Sequence, residues 1–433
     1  MALDQGSLSE YSGTVEPWWI DAKFGMFIHW GPYSVAGVEA SWPIMTPERE
    51  EARGRSPITQ EEYEALPQQF NPTRFDAPAI VELARSGGQR YMVFTAKHHD
   101  GFCMFDSAFT RYSIMNTPYG KDIAAQLSSA AAVAEMPFGF YYSQPDLHHP
   151  YYRDTSKLAK ENWAGEADRA EWFGYLAYLR AQLTELLTRY GKVTEIWFDG
   201  LRSQERFDPF MINPWLKSTW PGLMINDRNG GNGSMSSLPS PDLRLLPRAA
   251  WGDFATPEQE IPDERIPDRP WETCMTINDT WAYNPLDTNY KSAATLIKTL
   301  VEVVHKGGNL LLNIGPRPDG TIQPEFVERL GQVGAWLRRN GEGIYATRPS
   351  GVPRQPWGFS TAKPAARTIY LHVTDWDGDS VTVAGLSAAI GEVAVLGAPG
   401  LAVPVQAADG RATFTVPTAA RDPYVTVLRI RLG

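Results

Sequence analysis

The sequence predicts an α/β fold: a (β/α)8-like (TIM) barrel with an incomplete ring of helices, followed by a small C-terminal β-sandwich. Three observations carry that expectation. Strand-like and helix-like stretches alternate from about residue 18 to 345, the strands among them are near-continuous apolar runs, and after about Ser350 both patterns stop. Continuous apolar strands separated by helices argue for a parallel sheet covered by those helices. Seven visible strands closing on roughly eight make a barrel the simplest arrangement. The expected division is a barrel over 1–348 and a sandwich over 349–433.

Taken in order, "KFGMFIHW" from Lys23 to Trp30 reads as the first strand. "PAIVELARSGG" reads as a helix, with Pro78 near its start and Gly88 at its stop. "RYMVFTAKHHDGF" is the second strand, "DIAAQLSSAAAVAE" an Ala-rich helix, and "FGFYYSQ" the third strand. A long amphipathic helix runs from Ala167 to Gly191, and "VTEIWFDG" follows as the fourth strand. "GLMIND", "ETCMTIN" and "NLLLNIGP" are the fifth, sixth and seventh, with helices at "YKSAATLIKTLVEVVHKGG" and "PEFVERLGQVGAWLRRNG". Between Asn229 and Trp271 Gly, Pro, Ser and charge dominate and no helical pattern emerges, so either the outer ring is broken there or a long functional loop replaces a helix. Beyond 350, "TIYLHVTDW", "DSVTVAGL", "ATFTVP" and "YVTVLRIRL" are short and β-branched, as sandwich strands are.

Charge narrows the function. A net charge of −10 argues against nucleic acid or an anionic membrane as partner and leaves neutral substrates open. Fifteen Trp, eighteen Tyr and eighteen Phe suit sugar rings, though equally ordinary cores. Cys103 and Cys274 make no disulfide framework. The start "MALDQGSLSE" is no signal peptide, and no apolar run reaches membrane-spanning length. The chain as given therefore reads as cytoplasmic, or as periplasmic or secreted once a leader is removed. The oligomeric state stays open.

Active sites of parallel barrels lie at the C-terminal ends of the strands. Here those ends carry His29, then His98, His99 and Asp100, then Tyr141 and Tyr142, then Asp199, then Asn226 to Arg228. One strand-end His is more often structural; three of them with a strand-end Asp reverse that reading. Asp199 before Gly200 is also a common turn pair. Strand alternation puts Trp197 on its face, an indole beside a carboxylate. A retaining glycosidase needs a second carboxyl about 5–5.5 Å from the nucleophile. The helix-free stretch offers Glu258 and Glu260, with Glu264 beside them, and Glu272 sits at a strand start. The same histidines and Asp199 also suggest a metal-dependent hydrolase. The first strand, however, has a lone His where such enzymes carry His-x-His.

Six stretches together resemble the family 29 glycoside hydrolases, the retaining α-L-fucosidases: "KFGMFIHWGPYSV", "YMVFTAKHHDGFCMFDS", "FGFYYSQPDLHHP", "EIWFDG", "WETCMTINDTWAYN" and "HKGGNLLLNIGPRPDG". The resemblance implies Asp199 as nucleophile and His29, His98 and His99 on fucose hydroxyls. It implies Tyr142, or less readily Tyr141, as the pocket tyrosine, and Arg228 just after strand five. Trp42, Trp197 and Trp281 would shape the pocket. The family's Glu-Trp after strand one is Ser41-Trp42 here, a departure that keeps Trp42 in its role and leaves the glutamate contact open. For the acid/base, "TPEQE" fits the family's variable loop, so Glu258 is chosen with Glu260 and Glu272 in reserve. The expectation is a retaining, exo-acting α-L-fucosidase that uses no cofactor and no metal and acts on a fucosylated glycan or glycoside. A different glycone such as galactoside, a metal-dependent barrel hydrolase and an inactive fucose-binding protein are the alternatives.

Overall fold

The apolar runs between Phe24 and Ile314 lie side by side in one parallel sheet. The structure is a computed structural model and describes residues 15–52, 58–200, 204–229, 252–263, 270–384, 386, 389–408 and 410–433. The strands are β1 (Phe24–Ile28), β2 (Met92–Lys97), β3 (Phe138–Ser143), β4 (Val193–Asp199), β5 (Met224–Ile225), β6 (Glu272–Thr276) and β7 (Asn309–Ile314). Their order is β5-β4-β3-β2-β1-β7-β6, every neighbouring pair parallel.

The gap between β5 and β6 holds an eighth stave that the sequence pattern conceals. Asp253 N donates to Ile225 O (2.6 Å), and Phe254 bridges Asn226. On the other side Glu272 N donates to Ala255 O (2.8 Å), Cys274 N to Pro257 O (3.2 Å), and Gln259 N to Cys274 O (3.0 Å). The stave closes the ring and delivers Glu258 to its C-terminal end. No helix among the described residues stands between β5 and β6.

Strand alternation sorts the barrel into two apolar layers. Facing inward are Phe27, Tyr91, Val93, Tyr141, Trp197, Met224, Phe254, Cys274 and Leu311. Their neighbours, such as Ile196 and Phe198, face out against the helices. The short helix Pro17–Ala22 plugs the N-terminal end of the barrel, its Trp19 ring 4.5 Å from Phe254. The covering helices begin where short acceptors cap them: Asp76 before Ala77–Ser86, Asp122 before Ile123–Val133, and Ser292 before Ala293–His305. The long helix starts at Trp172, five residues later than its apolar pattern suggests. A further helix, Pro209–Thr219, holds Pro214 in its interior and so gave no helical signal.

The C-terminal region forms two antiparallel sheets, one of five strands and one of three. Val381, Val383, Ala412 and Phe414 of the smaller meet Ile369, Leu371, Leu428 and Ile430 of the larger in an apolar cluster of their own. The opposite face of the larger sheet, with Phe359, Tyr370 and Val427, packs on the barrel's helices. Trp336 Nε1 donates to Val425 O (2.9 Å) across that contact.

Candidate active site

The mouth of the barrel is built where strands end, because that is where inward side chains meet solvent. Asp199, the last residue of β4, has both carboxylate oxygens engaged. Oδ1 accepts from Arg228 Nη1 and from Gly200 N, each at 2.9 Å. Oδ2 accepts from the Tyr141 hydroxyl at 2.8 Å and lies 3.6 Å from His99 Nε2. Burial alone would push this carboxyl up. The Arg228 guanidinium, His99 and the Tyr141 hydroxyl outweigh it and hold Asp199 below the usual carboxylate range.

Arg228 follows β5 and its guanidinium spans two acids. Nη2 donates to Glu258 Oε2 at 2.8 Å while Nη1 holds Asp199. Nε donates to Thr256 Oγ1 (3.1 Å), and the guanidinium lies over the Trp197 ring, 4.6 Å from its centroid. The side chains of Asp199 and Glu258 remain 16% and 26% exposed, so a ligand can reach both. Two carboxylates one guanidinium apart suit paired acid/base and nucleophilic chemistry.

The three histidines enter the same mouth. β2 ends at Lys97, so His98 and His99 are released from strand alternation and both reach inward. His29 Nδ1 meets Asn313 Oδ1 at 2.7 Å, and the Asn313 amide nitrogen donates to Trp281 O. That fixes the amide, so His29 Nδ1 carries the hydrogen and Nε2 is left as an acceptor. His99 Nδ1 meets Ser143 Oγ at 2.7 Å, and that hydroxyl donates to Pro145 O, which leaves His99 Nε2 an acceptor as well. His98 Nδ1 lies 2.6 Å from Ser41 Oγ. Burial lowers all three, His29 to about 4, so they are neutral near pH 7. His98 stacks on Tyr141, His29 packs against Trp281, and the Trp42 ring stands edge-on to His99.

Three expected residues lie elsewhere. Tyr142 points out of the barrel, donates to Gln182 Oε1 (2.7 Å) and accepts from Lys97 Nζ (3.0 Å). The tyrosine that faces the mouth is Tyr141, which pairs in register with Trp197 and so shares its inward face. Glu260 is exposed, and among the described residues only its backbone oxygen is engaged, by Thr273. Glu272 is fully buried in the barrel interior, where it accepts from Tyr91 and from Trp197 Nε1. Glu264 lies outside the described residues.

Other site residues had no local sequence signal. Asn313, Ser41 and Ser143 each orient a histidine. Glu39 accepts from Trp281 N (2.8 Å), so the loop after β1 does supply a glutamate, two residues before Ser41. Beside Glu258 a cleft of about 740 Å³ opens, lined by Glu39, Trp42, Arg49, Asp279 and Asn284. Among the described residues no group of three or more His, Cys, Asp or Glu could hold a metal ion, and no helix is long and apolar enough to cross a membrane.

Comparison with known proteins adds a second line. The family model described as Alpha-L-fucosidase matches residues 5–342. A plasma alpha-L-fucosidase of Rattus norvegicus is 31% identical over 83% of this chain and 78% of its own. An alpha-L-fucosidase of Dictyostelium discoideum is 28% identical over 95% of this chain and 92% of its own. Among solved structures, alpha-L-fucosidase isoenzyme 1 from Paenibacillus thiaminolyticus superposes with TM-score 0.84 at 33% identity, covering 96% of this chain and 98% of the other. An alpha-L-fucosidase from Bacteroides thetaiotaomicron, solved as a trapped covalent intermediate in complex with 2-fluoro-fucosyl fluoride, does so with TM-score 0.81 at 26% identity, covering all of both chains.

Proposed function

This chain belongs to the α-L-fucosidase family of glycoside hydrolases, and on that premise we propose that it removes terminal α-L-fucose from glycans or glycosides with retention, through a fucosyl-enzyme on Asp199. The observation that carries the reading is the single guanidinium of Arg228 bonded to both Asp199 and Glu258. It keeps the nucleophile ionised and sets the second carboxyl beside it.

In the first step Asp199 attacks the anomeric carbon and the bond to the leaving oxygen breaks. Glu258 enters this step carrying a proton, leaves Arg228 for the departing oxygen and passes that proton to it, ending as the carboxylate. In the second step Glu258 takes a proton from water, whose oxygen attacks the anomeric carbon and releases Asp199. His29 and His99 accept from sugar hydroxyls through Nε2, with His98 beside them, while Trp197 and Trp281 form the apolar walls. The aglycone occupies the cleft along Trp42 and Asn284. Burial of Glu272 away from that cleft, and exposure of Glu260 outside it, support Glu258 as acid/base. The separate C-terminal apolar cluster supports a second domain beginning near residue 348, where the strand Arg348–Pro349 already pairs into its larger sheet.

The test is proton NMR of aryl α-L-fucoside hydrolysis, followed through the first turnovers, with aryl galactoside alongside. Retention predicts that α-fucose appears before mutarotation and that fucoside is preferred. β-Fucose as first product would overturn the mechanism, no turnover at all would favour the inactive binder, and faster galactoside cleavage would change the glycone. Loss of turnover on chelation would return the metal-dependent reading.

A further inference from the structure

Beneath the site, at the closed end of the barrel, two carboxyls face each other that the reaction above does not use. Glu195 stands on β4 two residues below Trp197, and Glu272 opens β6. Both are buried. Neither oxygen of Glu195 has a well-formed hydrogen bond among the described residues, and the Trp19 indole is its favourable neighbour. The layer is built to admit large groups. A Cβ on Gly139 would lie 2.7 Å from Glu195 Cβ, and one on Gly25 would lie 2.4 Å from the Tyr91 ring. Both glycines thus open the floor for the acid and for the tyrosine bonded to its neighbour.

A buried carboxyl is costly, and an apolar side chain of similar size would fill this space more cheaply. Its contacts suggest what it is for. Glu272 accepts from the Tyr91 hydroxyl and, at 3.1 Å, from Trp197 Nε1. Another buried indole, Trp30, has no hydrogen-bond partner among the described residues, so a bonded indole is not a general requirement of this fold. Trp197 in turn stacks on Tyr141, at 5.7 Å and 18°, and carries the Arg228 guanidinium over its ring. Tyr141 and Arg228 are two of the groups that hold Asp199.

We infer that Glu272 is a positioning residue for the nucleophile, acting through Trp197 on the phenol and guanidinium that grip Asp199. The inference rests on the reading of Asp199 as nucleophile and Glu258 as acid/base. Burial, and for Glu195 the charge of Glu272 as well, favours the neutral carboxyl in both. A protonated Glu272 still has a lone pair for the indole, and glutamine would offer the same acceptor.

The test measures kcat and KM of Glu272→Leu and Glu272→Gln on aryl fucosides with good and poor leaving groups, together with Trp197→Phe and the double variant Glu272→Leu/Trp197→Phe. Glu272→Leu is expected to lower kcat/KM about 10- to 100-fold, equally for all leaving groups, as loss of one oriented bond would. Glu272→Gln should stay within a few-fold of the parent. Trp197→Phe should reproduce the uniform loss, and the double variant should be no worse than either single one. If Glu272→Leu does not fold, Glu272→Gln and Trp197→Phe still decide. Strong loss in Glu272→Gln, additive losses in the double variant, or a parental rate in Glu272→Leu would each overturn the positioning role. A loss confined to poor leaving groups would make Glu272 the acid/base and remove Glu258 from that role. A parent enzyme inactive on every fucoside would instead sink the fucosidase reading itself.

Discussion

Asp199 and Glu195 sit on the same strand and the same face, four residues or about 13 Å apart, yet they are different chemical objects. Asp199 ends the strand, keeps a solvent-facing edge, and is met by a guanidinium, a phenol, a backbone amide and a histidine. Glu195 lies near the strand's start, is sealed from water, and has another carboxyl for a neighbour. The mouth makes an anion stable, and the floor makes one expensive. Residue type and alternation are shared between the two, so neither distinguishes a nucleophile from a buried acid. Depth along the strand does.

The sharpest way to break this comparison is to remove the mouth carboxylate. Asp199→Ala should reduce turnover of an aryl fucoside by about ten-thousandfold or more, with azide restoring little or part of the rate. A variant near parental activity would end the assignment. Next in size is Glu258→Ala, expected to cost roughly 100- to 1,000-fold on poor leaving groups and far less on activated aryl fucosides. A flat dependence on leaving group would move the acid/base elsewhere. Smaller again is a contrast between adjacent tyrosines. Tyr141→Phe removes a bond to a charged acceptor and should lower kcat/KM by about 10- to 100-fold. Tyr142→Phe should leave it within a few-fold, because that hydroxyl serves Gln182 and Lys97 behind the sheet. Equal effects would mean that the inward face of β3 has been misassigned.

The tyrosine pair also marks where sequence reading stops. Alternation says that Tyr141 and Tyr142 face opposite ways, but the choice between them needs the register with β4, a long-range pairing that no local pattern records. Strand ends were legible because barrels concentrate polar side chains there, which is why His29, His98, His99, Asp199 and Arg228 converge as expected. The eighth stave was not legible. Asp253 to Glu258 holds a proline and no β-branched alternation, and it is tied in by a few bridges on each side. Glu258 is singled out by the failed helix pattern around it and by the fit of "TPEQE" to the family's variable loop, not by a strand. The partners that orient the site were hidden for the same reason as the tyrosine: Asn313 reaches His29 across 284 residues, and Glu39 reaches Trp281 across 242.

The smallest effect tests the floor alone, through stability and not rate. Burial raises Glu272 from an ordinary 4.5 to about 7, opposed in part by the bonds from Tyr91 and Trp197. Between those values the folded protein holds a proton that the unfolded chain has released. Stability from this group is therefore intact below about pH 4.5 and declines as pH rises towards 7, by up to roughly 3 kcal/mol. Asp199 works in the opposite sense. Its lowered carboxyl adds stability above the ordinary aspartate value and loses it as pH falls further. Glu272→Gln cannot release that proton, so its melting temperature should fall less than the parent's between pH 4.5 and 7. Asp199→Asn should instead change only the acid limb. Each kcal/mol corresponds to about 2–4 °C or less in a chain of this size, which scanning calorimetry across pH resolves. Parallel slopes for parent and Glu272→Gln would show that this floor carboxyl is ionised in the folded state, and the contrast between the mouth and the floor of the barrel would then be one of exposure without a difference in charge.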